Sequence, residues 1–295
     1  MVVTIPLAGK RRLRVAEAAM LAFLAAMAAM ALTGAGRLGW EPGLRHLSAC
    51  LVLVGAAIAL GEWPRGLRRW GRELLLVPFV LYAFLNLSPL IAIVNPAIRD
   101  PWLVAADRFL LGAELQAALY SATLPAWGAD ALTMCYASYF LLSSGLVIVL
   151  VLRGDTAIPR VTAAIVITFL VSYTGYFFVP AHGPRAMDLG VAKYAGLPVG
   201  IVGGDLRSLL DAGELTKTDA FPSGHTMVTL ATLICARRRA RTYYLVLLPV
   251  AMLLIAATVL LTYHYIVDLV AAVPLMGLAL FVAGRLAGPV EPVSQ

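Results

Sequence analysis

The sequence predicts an all-α membrane protein, a polytopic bundle of about eight transmembrane helices. Of its 295 residues, 61% are hydrophobic and only 13% are charged, whereas a soluble domain carries about 25% charged residues. Its apolar runs approach the roughly 20 residues that a helix needs to cross a bilayer. The runs are continuous, while a transmembrane barrel would show alternating segments of about 10 residues. A soluble globular domain, a coiled coil and a disordered chain are therefore excluded.

The predicted spans begin after a basic N-terminal segment that contains Lys10 and Arg11. Because the first apolar run is long for a signal peptide and further spans follow it, we expect this span to be retained, with cleavage after it as the alternative. The three cysteines lie within apolar runs without metal-ligand spacing, so we interpret them as small core residues. The predicted spans are 15–33, 45–61, 74–95, 130–152, 158–180, 222–236, 243–262 and 264–285.

Basic residues are distributed unevenly over the loops. Of the 23 Lys and Arg residues, 15 fall on one set of loops, which holds the N-terminal segment and the cluster around Arg238, and 8 fall on the other set. The positive-inside rule makes the first set cytoplasmic. Both termini are then inside, as an even number of spans requires. The same pattern accounts for the net charge of +7 without nucleic acid as a partner, and we expect an integral protein of a bacterial plasma membrane.

Two of the outer connections are long. Residues 96–129 contain an amphipathic run from Asp107 to Gly112, which predicts an interfacial helix on the outer surface, with an ordinary polar loop as the alternative. Residues 181–221 are rich in glycine and polar side chains. A loop of that length in a compact bundle is usually functional. His182, Lys217 and Asp219 of this loop are candidate substrate or loop contacts.

Three of the four histidines fall at one membrane level. His182 follows the fifth span, His225 opens the sixth, and His264 lies between the seventh and eighth. Because the spans alternate in direction, all three face the outer side. Ionisable residues within spans are costly and usually mark function.

The segment His264-xxx-Asp268 carries the sharpest signal. Positions i and i+4 share a helix face, so the carboxylate can accept a hydrogen bond from one imidazole nitrogen and leave the other for nucleophilic attack. A structural polar pair that bridges two helices is the alternative.

Two further segments are suited to binding phosphate. Pro222-Ser223-Gly224-His225 precedes an apolar run and predicts a helix N-terminus, where free N–H groups bind anions; a plain helix cap is the alternative. The second segment is His182-Gly183-Pro184-Arg185, in which the planar guanidinium of Arg185 matches phosphate oxygens. An arginine that anchors the chain at the membrane edge is the alternative. Together the segments form a set for phosphoryl transfer, with a nucleophile, a second histidine as acid and base, and phosphate-binding groups.

The segments Pro222-Ser223-Gly224-His225 and His264-xxx-Asp268 resemble the second and third motifs of the type-2 phosphatidic acid phosphatase superfamily. The resemblance implies a six-span core at residues 74–295, preceded by two accessory helices at 1–73. It also implies His264 as the nucleophile, Asp268 as its partner, His225 as acid and base, and phosphate binding by Ser223 and Gly224, with no metal and no cofactor.

Other positions are closer to the phosphotransferases of that superfamily, which include sphingomyelin and inositol phosphorylceramide synthases. Where the lipid phosphatases carry KxxxxxxRP, this chain has Phe178 in the Lys position and Ala186 after Arg185. Where they carry Ser-Arg before the third motif, it has Ala257 and Thr258. Asp107-Arg108-xxx-Gly112 is similar to the inositol phosphorylceramide synthase branch.

The sequence therefore predicts a membrane-embedded lipid phosphotransferase that works at the extracytoplasmic face through a phospho-histidine. Its partners would be a membrane lipid and a small alcohol or water. The first alternative is a phosphatase acting on a phosphatidic acid-like or polyprenyl phosphate. A proton-coupled transporter is a remote alternative, because we find neither an internal repeat nor broken helices. A metal site built from His182, His225, His264 and Asp268 is a further one.

Overall fold

A computed structural model of the chain describes residues 4–6, 12–213 and 215–292. Lys10 and Arg11 of the basic N-terminal segment lie outside these residues. The predicted all-α fold is confirmed. One short antiparallel hairpin adds to it, in which Thr4–Pro6 (β1) pairs with Arg12–Arg14 (β2).

The helices follow one another with short connections. Those before the fifth predicted span are α1 (Val15–Thr33), α2 (Ala35–Leu38), α3 (Glu41–Glu62), α4 (Arg65–Leu74), α5 (Leu76–Leu85), α6 (Ser88–Val94), α7 (Asp100–Leu111), α8 (Ala113–Ser121), α9 (Ala126–Ala137) and α10 (Tyr139–Leu152). The remainder are α11 (Ile158–Phe178), α12 (Asp188–Ala195), α13 (Gly203–Gly213), α14 (Gly224–Arg239), α15 (Arg241–Leu260) and α16 (Ile266–Ala287), with a 3₁₀ turn at Pro184–Ala186.

Five described helices are long and apolar enough to cross a membrane on their own: α1, α3, α11, α15 and α16. The third and fourth predicted spans correspond to two bent pairs, Gly66–Leu85 with Ser88–Val94 (49°) and Ala126–Ala137 with Tyr139–Leu152 (51°). The sixth predicted span corresponds to α14, which has only 16 residues. These helices make the chain an integral membrane protein, with five spans by length and composition or seven if each bent pair is one span.

The two bends correct our expectation that no span is broken. At the first, the Asn86 side chain donates to the Tyr82 carbonyl, and Pro89 opens the next helix. At the second, the Ser138 hydroxyl donates to the Cys135 carbonyl at 2.6 Å. Side chains that bond to nearby backbone carbonyls compete with the helical ladder and bend it.

The centre of the bundle is α11, which is buried along most of its length and packs against α1, α14 and α16. Although α14 is short, its buried face consists largely of Thr and Ala, small residues that let neighbouring helices approach closely. Helices α14 and α16 both begin at the same end of α11. The first turn of α14, which carries His225, therefore meets the turn before α16, which carries His264.

Candidate active site

His225 and His264 contact each other at the start of α14 and α16. His264 Nε2 lies 3.4 Å from His225 Nδ1, and the ring centroids are 5.6 Å apart. His264 is almost fully buried. The structure thus brings together two of the three histidines that the sequence singled out.

The other nitrogen of His264 has a backbone partner that the sequence did not indicate. Nδ1 lies 2.7 Å from the carbonyl oxygen of Ala220 and 3.4 Å from Asp268 Oδ2. Because a carbonyl can only accept, Nδ1 must carry the hydrogen, which leaves the Nε2 lone pair directed at His225. The Asp268 carboxylate is at the outer limit of a hydrogen bond to the ring. It binds the Tyr265 amide more closely, at 2.8 Å.

A tight turn between α15 and α16 presents His264. The Thr258 carbonyl accepts from the amides of Tyr263 and His264 at 2.9 and 2.8 Å. Thr262 has a φ of +63°, which is unfavourable for a β-branched residue. Its carbonyl accepts from the Arg185 amide at 2.9 Å, so the strained turn also holds the arginine segment.

Two aspartates of α7 support this turn, and the sequence did not mark either as a site residue. Asp107 accepts from the amides of Ile266 and Val267 at 3.0 and 2.6 Å, and so caps the first turn of α16. Burial raises the pKa of the Asp107 carboxyl, and the bonds from the Val267 and Ile266 amides offset part of that rise.

Asp100 is fully buried and joins the two motif-bearing loops. Its carboxylate accepts from the amides of His182 and Gly183 at 2.8 and 2.9 Å and from the Tyr265 hydroxyl at 2.8 Å. The available sequence signal was the Asp-Pro pair at 100–101, which opens a helix. The amphipathic run that the sequence indicated at 107–112 is therefore the end of α7, with Asp107 buried and Phe109 89% exposed.

Arg185 reaches the site along the surface of Tyr263. Its guanidinium carbon lies 4.4 Å from the centroid of that ring, and Nη1 pairs with Asp211 Oδ1 at 3.2 Å. The preceding Gly183 has a φ of +87°, and a Cβ there would lie 2.2 Å from the Tyr263 carbonyl oxygen. Only glycine fits this position.

A stack of aromatic rings connects Arg185 to His225. Tyr136 lies between Tyr263 and His225, and its ring centroid is 4.3 Å from the first and 4.4 Å from the second. The ring of Tyr139 also contacts His225, with a centroid distance of 4.1 Å. The sequence did not mark these tyrosines, because aromatic residues at helical spacing in an apolar span are more often part of the core.

Ser223 and Gly224 shape the start of α14. Ser223 Oγ accepts from the amide and the hydroxyl of Thr226 at 3.2 and 3.0 Å, which makes it the helix cap and leaves its own hydrogen to donate. A Cβ at Gly224 would lie 2.5 Å from Tyr176 Oη, so glycine lets α14 pack closely on α11. The first N–H groups of a helix have no intrahelical partner and can bind an anion.

The other three candidates lie around the loop. His182 Nδ1 binds the Lys217 carbonyl at 2.8 Å, so its ring is engaged with the loop. Lys217 Nζ donates to the Asp211 carbonyl at 2.8 Å. Asp219 forms a parallel bridge with Ala181, which aligns the segments before Arg185 and before His225.

A cavity of about 230 Å³ opens beside His225. Its wall is mostly aromatic and aliphatic, and its polar residues are Asp219, His225 and several tyrosines. Helices α5, α10, α11 and α13 contribute to it. A chamber of this size and lining suits a small organic group.

Within residues 4–6, 12–213 and 215–292, no three His, Cys, Asp or Glu side chains are grouped as metal ligands. The metal site considered from the sequence would also need His182, whose ring binds the Lys217 carbonyl.

The long apolar helices define an integral membrane protein. The contact between His225 and His264 gives it a polar site at one end of the helical bundle. The chain matches the PAP2 superfamily over residues 101–282, more than half of its length, and it belongs to that superfamily. No curated protein and no solved structure gives a significant match. The superfamily assigned from the two motifs is thus confirmed. Membership supports phosphatase-like chemistry on lipid phosphates.

Proposed function

We propose that this protein is a lipid phosphotransferase, which transfers a phospho-headgroup to an alcohol by way of phospho-His264. The contact between His264 Nε2 and His225 Nδ1 at 3.4 Å carries the proposal. It places a nitrogen lone pair beside a second imidazole, so that a substrate which enters between the rings would meet a nucleophile and a proton-transfer group.

In the first step His264 Nε2 attacks the phosphorus, and the bond from phosphorus to the leaving oxygen breaks. Protonated His225 gives its Nδ1 proton to that oxygen. The positive charge that develops on His264 is stabilised through Nδ1–H by the Ala220 carbonyl, and at longer range by Asp268. In the second step His225 removes the proton of the acceptor hydroxyl, whose oxygen attacks the phosphorus as the bond to Nε2 breaks.

The phosphate oxygens need positive charge and N–H donors in this scheme. Arg185, the Ser223 hydroxyl and the backbone at Gly224 supply them. The chain has Phe178 and Thr258 where the lipid phosphatases have further cations. Arg185 therefore supplies a larger share of the positive charge that balances the phosphate than its counterpart does in those enzymes. The ring of Tyr263 beneath the guanidinium fixes its orientation.

The cavity beside His225 favours an alcohol over water as the acceptor. Its aromatic lining offers an organic acceptor a binding surface, while Asp219 can accept a hydrogen bond from a hydroxyl group. This agrees with the resemblance to the inositol phosphorylceramide synthase branch. With water as the acceptor, the same steps make the protein a lipid-phosphate phosphatase, which superfamily membership supports directly.

The distribution of basic residues supports an extracytoplasmic site, with both termini in the cytoplasm of a bacterial cell. This topology needs an even number of spans, so the 16-residue α14 must count as the eighth. We further propose that residues 1–73 are accessory to a catalytic core at 74–295. Helix α1 nevertheless packs on α11, and Glu17 pairs with Arg72 close to this boundary.

The test is mass spectrometry of lipids after purified protein is incubated with labelled phospholipids, with and without alcohols such as inositol. A labelled phosphoalcohol or phosphorylated acceptor lipid that forms only with the alcohol present supports the transferase. Release of inorganic phosphate regardless of alcohol would instead support the phosphatase.

A further inference from the structure

Arg185 is held by an acidic side chain that the mechanism does not use. Its Nη1 lies 3.2 Å from Asp211 Oδ1, and the other carboxylate oxygen of Asp211 accepts from the Tyr194 hydroxyl at 2.5 Å. The Tyr194 hydroxyl also lies 3.2 Å from that of Tyr263, on whose ring Arg185 rests. Burial raises the pKa of Tyr194, so its phenol remains a donor to Asp211.

A phosphoryl group can readily replace Asp211 as the partner of Arg185. A guanidinium and a carboxylate form their strongest contact at shorter distances, with both carboxylate oxygens on the fork. Here the bond from Nη1 is at the long end of the range, and the second oxygen of Asp211 is engaged by Tyr194. The Asp211 side chain is 36% exposed, and a partly exposed ion pair contributes little to stability. A phosphoryl group offers more oxygens to the same fork than a carboxylate does, and a phosphate monoester also carries more negative charge.

Asp211 belongs to the helix that covers the cavity. Its neighbours Leu209, Leu210 and Gly213 on α13 line the cavity together with His225 and Tyr263. Contact with Arg185 therefore helps to fix the end of α13 that lies over the chamber, together with the bond from Lys217 Nζ to the Asp211 carbonyl.

The other end of α13 is attached more firmly. Asp130 accepts from the amides of Ile201, Val202 and Gly203 at 2.7, 3.2 and 3.0 Å. Arg207 is buried and donates to Thr133 Oγ1 and to the Pro198 carbonyl. Loss of the Arg185 contact would thus loosen one end of the helix while the other end stays attached to α9.

We propose that Asp211 is a specificity residue which competes with the substrate phosphate for Arg185. Exchange of the Asp211 carboxylate for a phosphoryl oxygen loosens the C-terminal end of α13 and opens the cavity to the organic part of the substrate. A neutral lipid cannot make this exchange, so the cavity opens for anionic substrates. This inference rests on the proposed role of Arg185 as a phosphate ligand.

The test compares Asp211→Asn with Asp205→Asn, which removes one negative charge from an exposed position on the same helix. With vanadate as the phosphate analogue, Asp211→Asn should bind roughly 3- to 10-fold more tightly than the wild type, and the KM for the lipid phosphate should fall. Asp205→Asn should match the wild type. Tyr194→Phe frees the second carboxylate oxygen of Asp211 for the guanidinium and also removes the contact with the Tyr263 hydroxyl, so it should weaken vanadate binding.

Hydrogen exchange over residues 203–213 provides a second measurement. Vanadate should speed exchange there in the wild type and change it little in Asp211→Asn, where the helix end is already released. Weaker vanadate binding in Asp211→Asn, or unchanged exchange in the wild type, would overturn the inference and leave the proposed function intact. Unchanged vanadate affinity in Arg185→Gln would overturn both this inference and the proposed phosphate ligand.

Discussion

His264 directs Nε2 at Nδ1 of His225, with 3.4 Å between the two atoms. The Ala220 carbonyl requires a hydrogen on His264 Nδ1, so Nε2 is the acceptor of this contact and His225 Nδ1 is the donor. One backbone oxygen therefore sets which of the two facing nitrogens donates. At this distance no phosphorus atom fits between the nitrogens, and a substrate must exchange the contact between the rings for contacts with its own oxygens.

The two histidines should fail in different ways when they are replaced. His264→Ala should abolish formation of the covalent phospho-enzyme because no other nucleophile occupies its place in the mechanism. His225→Ala should still form it, but should turn over roughly 10²- to 10⁴-fold more slowly, the usual contribution of a general acid and base. Trapping with labelled lipid phosphate, followed by single-turnover kinetics, measures both effects.

His46 provides the matched control for the histidines. Its Nδ1 lies 2.8 Å from the Tyr82 hydroxyl, in the contact between α3 and α5. His46→Ala should lower stability because the ring is buried, but should retain nearly wild-type turnover. Full activity in His264→Ala would remove the nucleophile assignment.

Asp100 should be essential for the architecture of the site. Asp100→Asn replaces one acceptor oxygen by an NH₂ group among three donors, from His182, Gly183 and Tyr265. A buried donor left without an acceptor costs about 1–3 kcal/mol. We expect a lower melting temperature together with a large loss of activity. Asp188→Asn, at an exposed position, should change neither, and equal behaviour of the two variants would show that Asp100 does not organise the loops.

The sequence predicted the spans and the histidine pair because those signals are local. A run of apolar residues, a Pro-Ser-Gly-His helix start and an i, i+4 pair each depend on a few neighbouring positions. The superfamily assignment rested on the same short motifs, and the match over residues 101–282 confirms it.

The partners of those motifs come from distant parts of the chain and left no local signal. Ala220 acts through a carbonyl oxygen that every residue type possesses, so its identity does not reveal the bond to His264. Asp107 caps α16 across 159 positions of sequence. The bends near Asn86 and Ser138 depend on side-chain bonds to the backbone within runs that remain apolar, so hydropathy alone predicted straight spans.

Gly183 should tolerate no side chain. Gly183→Ala introduces both a strained positive φ and a clash with the Tyr263 carbonyl oxygen. Gly39→Ala is the matched control, because Gly39 has a similar φ of +76° and no atom lies within 4 Å of the position that its Cβ would take. Each variant incurs the backbone strain of about 1–3 kcal/mol, measurable by thermal unfolding. Only Gly183→Ala should also weaken vanadate binding, because it displaces the turn that carries Arg185; equal vanadate affinity in both variants would contradict that link.

The orientation in the membrane should follow the basic loops. A single cysteine at position 193 should react with an impermeant thiol reagent in intact cells, while one at position 238 should react only after permeabilisation. The native Cys50, Cys135 and Cys235 must first be replaced. Labelling at 238 and protection at 193 in intact cells would reverse the topology and move the site to the cytoplasmic side.

Activity should survive excess EDTA, and vanadate should inhibit. A catalytic zinc takes three protein ligands and keeps a fourth position open, while the candidate site offers His225, His264 and an Asp268 carboxylate that is bonded to the Tyr265 amide. A magnesium ion prefers oxygen ligands and retains water, whereas Asp100 and Asp107, the nearby carboxylates on α7, accept from backbone amides. Positive charge for the phosphate can come instead from Arg185 and the start of α14.

Vanadate inhibits because it adopts the five-coordinate geometry of phosphorus under attack by His264. Turnover measured after dialysis against EDTA, and again with each divalent ion added back, tests the prediction. Loss of activity that a single divalent ion restores would exclude the metal-free mechanism.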